Sequence, residues 1–368
     1  MSRLSLIYNF APKYREAIYK AIDKKWDCQW IFGSNDTDIK GMDINALKHA
    51  STVPNSTFIK RPWYLLKGAI KKAHASGAST FLVLGDPRCL SIWWLALRLK
   101  FSRKKLYFWT HGWYGKEGRL TAFIKKRFLR LADGIFLYGN YARNLMIEEG
   151  FDANKLFVIH NSLDHSGQLK LRDKCRTSSI YKDHFGNDLP VLLFIGRLTA
   201  VKRIDMLIEA VASLNVESMP CNLVLVGDGS ETERLKQLVA SKNINEHVWF
   251  YGACYDDTKN AELIYNADLC VAPGNVGLTA IHSMVFGTPV ISHDDFKWQM
   301  PEFESIKRGE TGDFFTAGDI ASLSETIKSW LTSHTDREKT RMACYNEIDS
   351  YWTPDFQMKV LEKHLKVI

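Results

Sequence analysis

V-L-L-F-I-G-R-L-T-A-V-K, from Val191 to Lys202, is an apolar run that ends in one glycine, followed at once by an arginine and five residues later by a lysine. A continuous apolar run of this length reads as a strand buried on both faces of a parallel sheet. The segment behind it, 204–214, is amphipathic and reads as a helix. In α/β folds, ligands bind beyond the carboxyl ends of such strands. Gly196 lets backbone approach a ligand, Arg197 offers a planar fork suited to phosphate, and Lys202 brings a mobile point charge. Together they suit a diphosphate. Singly they read as a turn glycine, a solvated arginine and a helix-start lysine, so the surrounding chain must decide.

Three later segments bear on it. Asn222 to Gly229 reads N-L-V-L-V-G-D-G and leads into an acidic helix start, while Val248 to Gly252 reads V-W-F-Y-G. From Ala267 to Ile291 the chain reads A-D-L-C-V-A-P-G-N-V-G-L-T-A-I-H-S-M-V-F-G-T-P-V-I, a strand, a glycine-bearing loop, a helix and the next strand. In order and spacing these blocks resemble the nucleotide-binding half of a retaining glycosyltransferase of family 4, which has the GT-B fold. The resemblance covers most of 191–312. In the front half, V-I-H-N-S-L-D at 158–164 is similar to the V-I-P-N-G-(I/V)-D with which such enzymes leave their first domain. L-Y-F-W-T-H-G at 106–112 looks like the strand carrying their active-site histidine. Y-N-F-A-P-K-Y-R at 8–15 stands where relatives often carry a glycine-rich acceptor loop.

The resemblance implies two doubly wound, Rossmann-like parallel-sheet α/β domains facing a cleft. Strand and helix patterns alternate along the whole chain, in agreement. The acceptor domain is expected over 1–168, a polar linker over 169–189, the nucleotide-sugar domain over 190–345, and a last helix over 346–368 crossing back to the first domain. First-domain strands are expected near 4–9, 28–32, 56–59, 80–84, 106–110, 134–137 and 156–159. Second-domain strands are expected near 191–195, 223–226, 248–250, 269–272 and 289–292.

By the same resemblance, the chain moves a sugar from a nucleotide-sugar donor to an acceptor hydroxyl, with retention and without a metal or other cofactor. Arg197 and Lys202 match the diphosphate clamp, and Gly196, Gly227 and Asp228 line the donor site. So do Gly274, Asn275, Val276, Gly277 and Leu278, ahead of a helix whose N-terminus faces the diphosphate. His111 matches the histidine facing the donor sugar, and Pro12, Tyr14 and Arg15 fall in the acceptor loop. One departure stands out. Relatives carry two glutamates separated by seven residues, the first touching the donor sugar and the second the ribose; here those positions are Gly274 and His282. A neutral imidazole still both donates and accepts a hydrogen bond. At Gly274 the sugar contact falls to loop N–H groups, to Asn275, or to the acids Asp294, Asp295, Glu302 and Glu304.

Other matches fail on context. Asp36-Thr37-Asp38 is a DxD of the kind that holds a metal in another glycosyltransferase fold, but the doubly wound pattern contradicts that fold. Gly227-Asp228-Gly229 begins a dinucleotide fingerprint, with Thr232 where its third glycine belongs.

A chain of 368 residues, 46% hydrophobic, holds two ordinary cores. Its seven cysteines form no CxxC pair and read as reduced thiols of a cytosolic protein. There is no signal-peptide pattern, and the densest apolar run, 91–97, is about half of a bilayer span. Charge is uneven: residues 1–168 hold 27 Lys and Arg against 13 Asp and Glu. Basic and aromatic residues crowd 98–130. The stretch 116–131 sets Leu120, Phe123, Ile124, Phe128 and Leu131 against Lys125, Lys126, Arg127 and Arg130. That pattern fits a helix lying on an anionic membrane surface, or a core-facing helix with a solvated basic side. No nucleic-acid module accompanies the charge. The expected partners are therefore a nucleotide sugar, a glycan or lipid-linked acceptor of bacterial surface polysaccharide, and the inner face of the plasma membrane. Two other classes stay open: a nucleotide-sugar epimerase of the same fold, and a member that binds nucleotide sugar without turnover.

Overall fold

The computed structural model describes residues 3–36, 39–57, 63–216 and 219–367. Two compact units result, Met1–Asp164 with Thr353–Ile368, and His165–Trp352.

The strands of the first unit are β1 (Arg3–Tyr8), β2 (Asp27–Gly33), β3 (Ala50–Val53), the short antiparallel pair β4 (Asn55–Ser56) and β5 (Leu65–Leu66), then β6 (Thr80–Leu84), β7 (Lys105–Thr110), β8 (Gly134–Leu137) and β9 (Leu156–Val158). Apart from the pair, they form one parallel sheet in the order β3-β2-β1-β6-β7-β8-β9. Side chains alternate between its faces with the period of two that a pleated strand imposes. Thus Leu106 and Phe108 of β7 enter one buried cluster, and Tyr107 and Trp109 the other. Around the sheet lie α1 (Glu16–Lys25), α2 (Ala69–Ala75), α3 (Leu90–Leu99), α4 (Arg119–Leu129) and α5 (Asn140–Glu148).

The second sheet holds β10 (Val191–Ile195), β11 (Asn222–Val226), β12 (Val248–Gly252), β13 (Leu269–Ala272), β14 (Val290–His293) and β15 (Gly312–Phe315), all parallel, in the order β12-β11-β10-β13-β14-β15. Val191 to Ile195 are buried throughout, which is why they read as an unbroken apolar run. The helices are α6 (His165–Arg172), α7 (Ile180–Phe185), α8 (Ile204–Val216), α9 (Thr232–Ser241), α10 (Asp257–Asn266), α11 (Thr279–Met284), α12 (Ile320–Ser333) and α13 (Arg337–Tyr351). In each sheet the strand order reverses between two central neighbours, β1 and β6 in the first, β10 and β13 in the second. Such a switch point is where open α/β sheets leave a crevice for ligands.

The chain returns to the first unit at Thr353, whose hydroxyl caps the last helix, Pro354–His364, by accepting from Phe356 N–H at 3.1 Å. Leu361 and Leu365 enter the first-unit core, and the His364 ring stacks on Phe157 at 4.0 Å. Gln357 accepts from Ser162 Oγ at 2.7 Å and donates to His160 O at 2.8 Å. The motif V-I-H-N-S-L-D is thereby held by this returning helix.

Some elements differ from the sequence reading. Residues 169–189, read as a linker, contain the end of α6 and all of α7, counted with the second unit. The strand expected at 56–59 is replaced by β3, six residues earlier, which pairs with β2; residues 58–59 lie outside the described residues. β15 was not anticipated. The helix expected over 116–131 is shorter, because the Glu117 carboxylate captures the N–H groups of Tyr114, Gly115 and Lys116 and holds that stretch as a turn.

Candidate functional site

The loops at the carboxyl ends of β10 and β13 carry most of the residues singled out for the donor. Gly196 has φ of +149°, a conformation that side-chain-bearing residues rarely adopt, and its N–H continues the ladder to Val226 O at 2.9 Å. Arg197, next to it, is exposed and has no ion-pair partner among the described residues. Lys202 is its opposite. It is largely buried, and Nζ donates to the backbone and side-chain oxygens of Asn275 at 2.7 and 2.8 Å. Burial lowers its pKa to about 8; the Glu302 carboxylate works against that shift and Arg197 adds to it.

Around them the structure assigns local roles. Gly227 has φ of +147°, and a Cβ there would meet Gly196 O at 1.9 Å, so this glycine serves the close approach of two loops. Asp228 accepts from Gly229 N–H and from Thr232 Oγ1, both at 2.7 Å, so its carboxylate braces the entry to α9. Those bonds, Thr232 first, hold its pKa below the usual range.

At Gly274 there is no room for a side chain. The Cβ of a side chain would lie 2.0 Å from Val201 O and 2.8 Å from Lys202 backbone atoms. The direction a glutamate would take is filled by the chain itself, rather than being free for a sugar. Two of the loop N–H groups are also occupied: Gly274 donates to Lys202 O at 3.0 Å, and Val276 to Gln299 Oε1 at 2.9 Å. Val276 is buried, and Gly277 has φ of +53°. Leu278 is the N-cap of α11, which starts at Thr279 and is six residues long. Thr279 Oγ1 donates to Ile195 O at 3.0 Å, tying this helix to the end of β10. His282 is half-buried with its ring edge-on to Phe286, and burial depresses its pKa, so it is neutral at pH 7.

The acids after β14 divide. Asp294 accepts from Ala317 N–H at 3.1 Å, and Asp295 lies 3.8 Å from Lys297. Glu302 is buried, 2% exposed, and supports the charge on Lys202. Gln299, which the sequence reading missed, is also buried. It accepts from Val276 N–H and donates to Ser292 Oγ at 2.7 Å and His293 O at 3.0 Å, which fixes the donor loop. Only its place in the segment after a strand end could have signalled it.

The first unit has its own pocket at its switch point, of about 540 Å³. Pro12, Tyr14, Arg15 and His111 all line it, with Asp86 and Arg88 beyond β6. The His111 ring lies 4.7 Å from Tyr138 and 6.1 Å from Tyr114, and its Nδ1 is buried without a hydrogen-bond partner. Burial, then Arg15 and Lys125, push its pKa down to about 4. It is therefore a neutral imidazole at pH 7. Arg15 is buried against the Trp109 and Tyr138 rings, which the motif Y-N-F-A-P-K-Y-R does not announce. The Asp36 carboxylate accepts from Asn55 Nδ2 at 3.1 Å, and Asp38 lies outside the described residues.

Residues 178–347 match the family model of glycosyl transferases group 1. The chain is 25% identical over 284 residues to an uncharacterized 41.2 kDa protein in the cps region of Klebsiella pneumoniae, covering 74% of this chain and 67% of that one. It is 26% identical over 133 residues to alpha-D-kanosaminyltransferase of Streptomyces kanamyceticus, 35% of this chain and 34% of that enzyme. The chain thus spans about a third of the length of that enzyme. Among solved structures, Anabaena Alr3699/HepE in complex with UDP superposes with a TM-score of 0.72 at 17% identity, over 99% of each chain. The apo form of the lipopolysaccharide outer core galactosyltransferase WaaB does so with 0.71 at 16%, over 99% of each. At such identities the likeness shows the fold, which is GT-B.

Proposed function

We propose that this chain, whose residues 178–347 match the family model of glycosyl transferases group 1, transfers a hexosyl group from a nucleotide sugar to an acceptor hydroxyl in the synthesis of a bacterial surface glycan. One observation carries the reading: Arg197 and Lys202 follow β10 at the switch point of the second sheet, and Lys202 is bonded to Asn275 in the Gly274–Leu278 loop. A leaving diphosphate needs its charge met there, and two cations meet it without a metal. Relatives support the rest. One is a protein in a cps region, and Anabaena HepE has been solved with UDP and with UDP-glucose.

In the reaction the bond from the anomeric carbon to the diphosphate breaks and a bond to the acceptor oxygen forms. With retention, the acceptor approaches on the face of the leaving group, and a diphosphate oxygen takes its proton. Arg197 and Lys202 stabilise the growing negative charge, while His282 hydrogen-bonds the ribose. Neutral His111 hydrogen-bonds a sugar hydroxyl and leaves the phosphate charge to the cations. The first-unit pocket, with Pro12, Tyr14 and Arg15, holds the acceptor. The basic first unit brings the protein to an anionic membrane on which a lipid-linked acceptor resides.

The test is donor turnover across a panel of nucleotide sugars, with membrane extract as acceptor source. Arg197→Ala and Lys202→Ala should each lower turnover by about 10- to 100-fold, the effect of one charge-assisted contact of roughly 1.5–3 kcal/mol, with unchanged melting. Activity should survive EDTA. Two variants with near-normal turnover would place the diphosphate elsewhere. Donor binding without consumption under any condition would favour a non-catalytic nucleotide-sugar binder.

A further inference from the structure

Arg15 is 5% exposed and is surrounded by aromatic rings. Its guanidinium carbon lies 4.2 Å from the Trp109 ring centroid, 5.2 Å from those of Tyr8 and Tyr19, and 5.6 Å from that of Tyr138. Nη1 donates to Tyr19 Oη at 3.2 Å, and Nη2 is buried with no hydrogen-bond partner. The other charges lining the pocket are compensated. Arg88 makes a two-pronged bond to Asp86, Nε to Oδ1 and Nη2 to Oδ2, each 2.9 Å. Lys125 pairs with Glu117 at 2.7 Å. Among the described lining residues, Arg15 alone is a cation without an acidic partner, and neutral His111 adds no charge.

A buried charge without a counter-ion is costly, and proteins seldom keep one that nothing pairs. Stacking on four rings recovers part of that cost, since the ring faces attract a cation. The remainder is what a bound anion would recover, because a guanidinium forms its strongest bonds with carboxylate and phosphate oxygens. We propose that the first-unit pocket recognises its acceptor by an oxyanion substituent, carboxylate or phosphate, that is received by Arg15. Tyr14 and Tyr114, half-buried at the same pocket, supply ring faces on which the sugar bearing that group packs. The inference rests on reading this pocket as the acceptor side.

The experiment is calorimetric titration of the full chain with three probes: methyl glucoside, methyl glucuronide and glucose 6-phosphate. The expected result is that one charged sugar binds at least tenfold more tightly than the neutral one. The tighter of the two charged probes identifies the group as carboxylate or phosphate. Arg15→Gln should abolish that preference while leaving nucleoside diphosphate affinity unchanged, and Arg15→Lys should keep part of it. Equal binding of all three probes to the wild type overturns the proposal, whether or not the Arg15 variants fold. So does an Arg15→Gln variant that keeps the preference. Competition separates this inference from the reading beneath it. A charged probe that binds through Arg15 but does not compete with the acceptor in turnover upholds the oxyanion site and removes the acceptor assignment. Efficient transfer to a neutral acceptor that occupies this pocket does the reverse.

Discussion

Lys202 spends two of its three N–H bonds on Asn275 and keeps the third for whatever enters the loop. Because burial holds its pKa at about 8, it is charged below that pH and neutral above it. Diphosphate affinity should therefore be flat up to about pH 7.5 and weaken above pH 8, approaching tenfold per pH unit, since the cation must first be re-protonated. Lys202→Arg should move the limb beyond pH 9. Calorimetry with a nucleoside diphosphate from pH 6.5 to 9.5 measures it, and a flat wild-type profile would remove Lys202 from the clamp. Gly274 carries a different kind of constraint. Even alanine would drive a methyl carbon into the Val201–Lys202 backbone, so Gly274→Ala should cost about 3 kcal/mol, the upper part of the usual overpacking range, and displace Lys202. Gly274→Glu should be worse in both stability and donor binding. Urea denaturation decides: an alanine variant with wild-type stability would mean that the loop has room after all.

At the scale of elements, α3 and α4 are the least ordinary pair. Trp93 of α3 packs on Phe128 of α4 with ring centroids 5.0 Å apart, so the two helices are neighbours. Their outer sides leave Trp94 and Leu97, and Leu120 and Phe123, exposed, with Phe101 91% exposed just beyond α3. Arg98, Arg103, Arg119 and Arg127 lie on these helices or next to them. Lys125 does not belong to this surface, since it is buried on Glu117, and Lys126 is paired with Glu149 at 3.0 Å. Apolar contact joined to basic charge is the composition of a membrane-surface face. The protein should sediment with phosphatidylglycerol vesicles at low salt and be released as salt rises. Leu120→Ser with Phe123→Ser should cut the bound fraction several-fold without altering nucleotide affinity; equal sedimentation would leave this face an ordinary surface. The sequence alone showed that α4 is amphipathic and left its direction open. Leu120 and Phe123 share a stripe with Phe128, and only tertiary packing tells which end of a stripe faces the core. β15 and β3 were illegible for a similar reason. G-D-F-F and A-S-T-V are too short to show a period, and they are strands because β14 and β2 pair with them. β10, β11 and β13 were legible because burial on both faces forces an unbroken apolar run, and the ligand-bearing residues follow those runs directly. The cage around Arg15 was hidden, since its rings arrive from β1, β7, α1 and the end of β8.

Over the whole molecule, six of the eleven histidines share one behaviour. Burial is the largest cause lowering the pKa of His74, His111, His184, His282, His293 and His364, and His111 reaches about 4. In the unfolded chain each titrates near the ordinary value of about 6.5. Below that pH the unfolded chain binds protons that the folded one refuses, so this contribution to stability is complete above about pH 6.5 and is lost as pH falls toward 4. Carboxylates act with the same sign further down. Glu117, held low chiefly by Lys125 against its own burial, and Asp349, held low by His165 and Arg172, withdraw stability as they protonate. The melting temperature should therefore be level from pH 7 to 8, decline from about pH 6.5, and fall more steeply once carboxylates join. His111 contributes at most about 1.4 kcal/mol per pH unit over the interval between its two pKa values. His111→Gln removes the histidine whose pKa reaches about 4, so its decline between pH 6.5 and 4.5 should be shallower than that of the wild type. Parallel slopes for the two proteins would mean that His111 is solvated and charged in the folded state. The neutral imidazole assigned to it in the sugar pocket would then have to be given up.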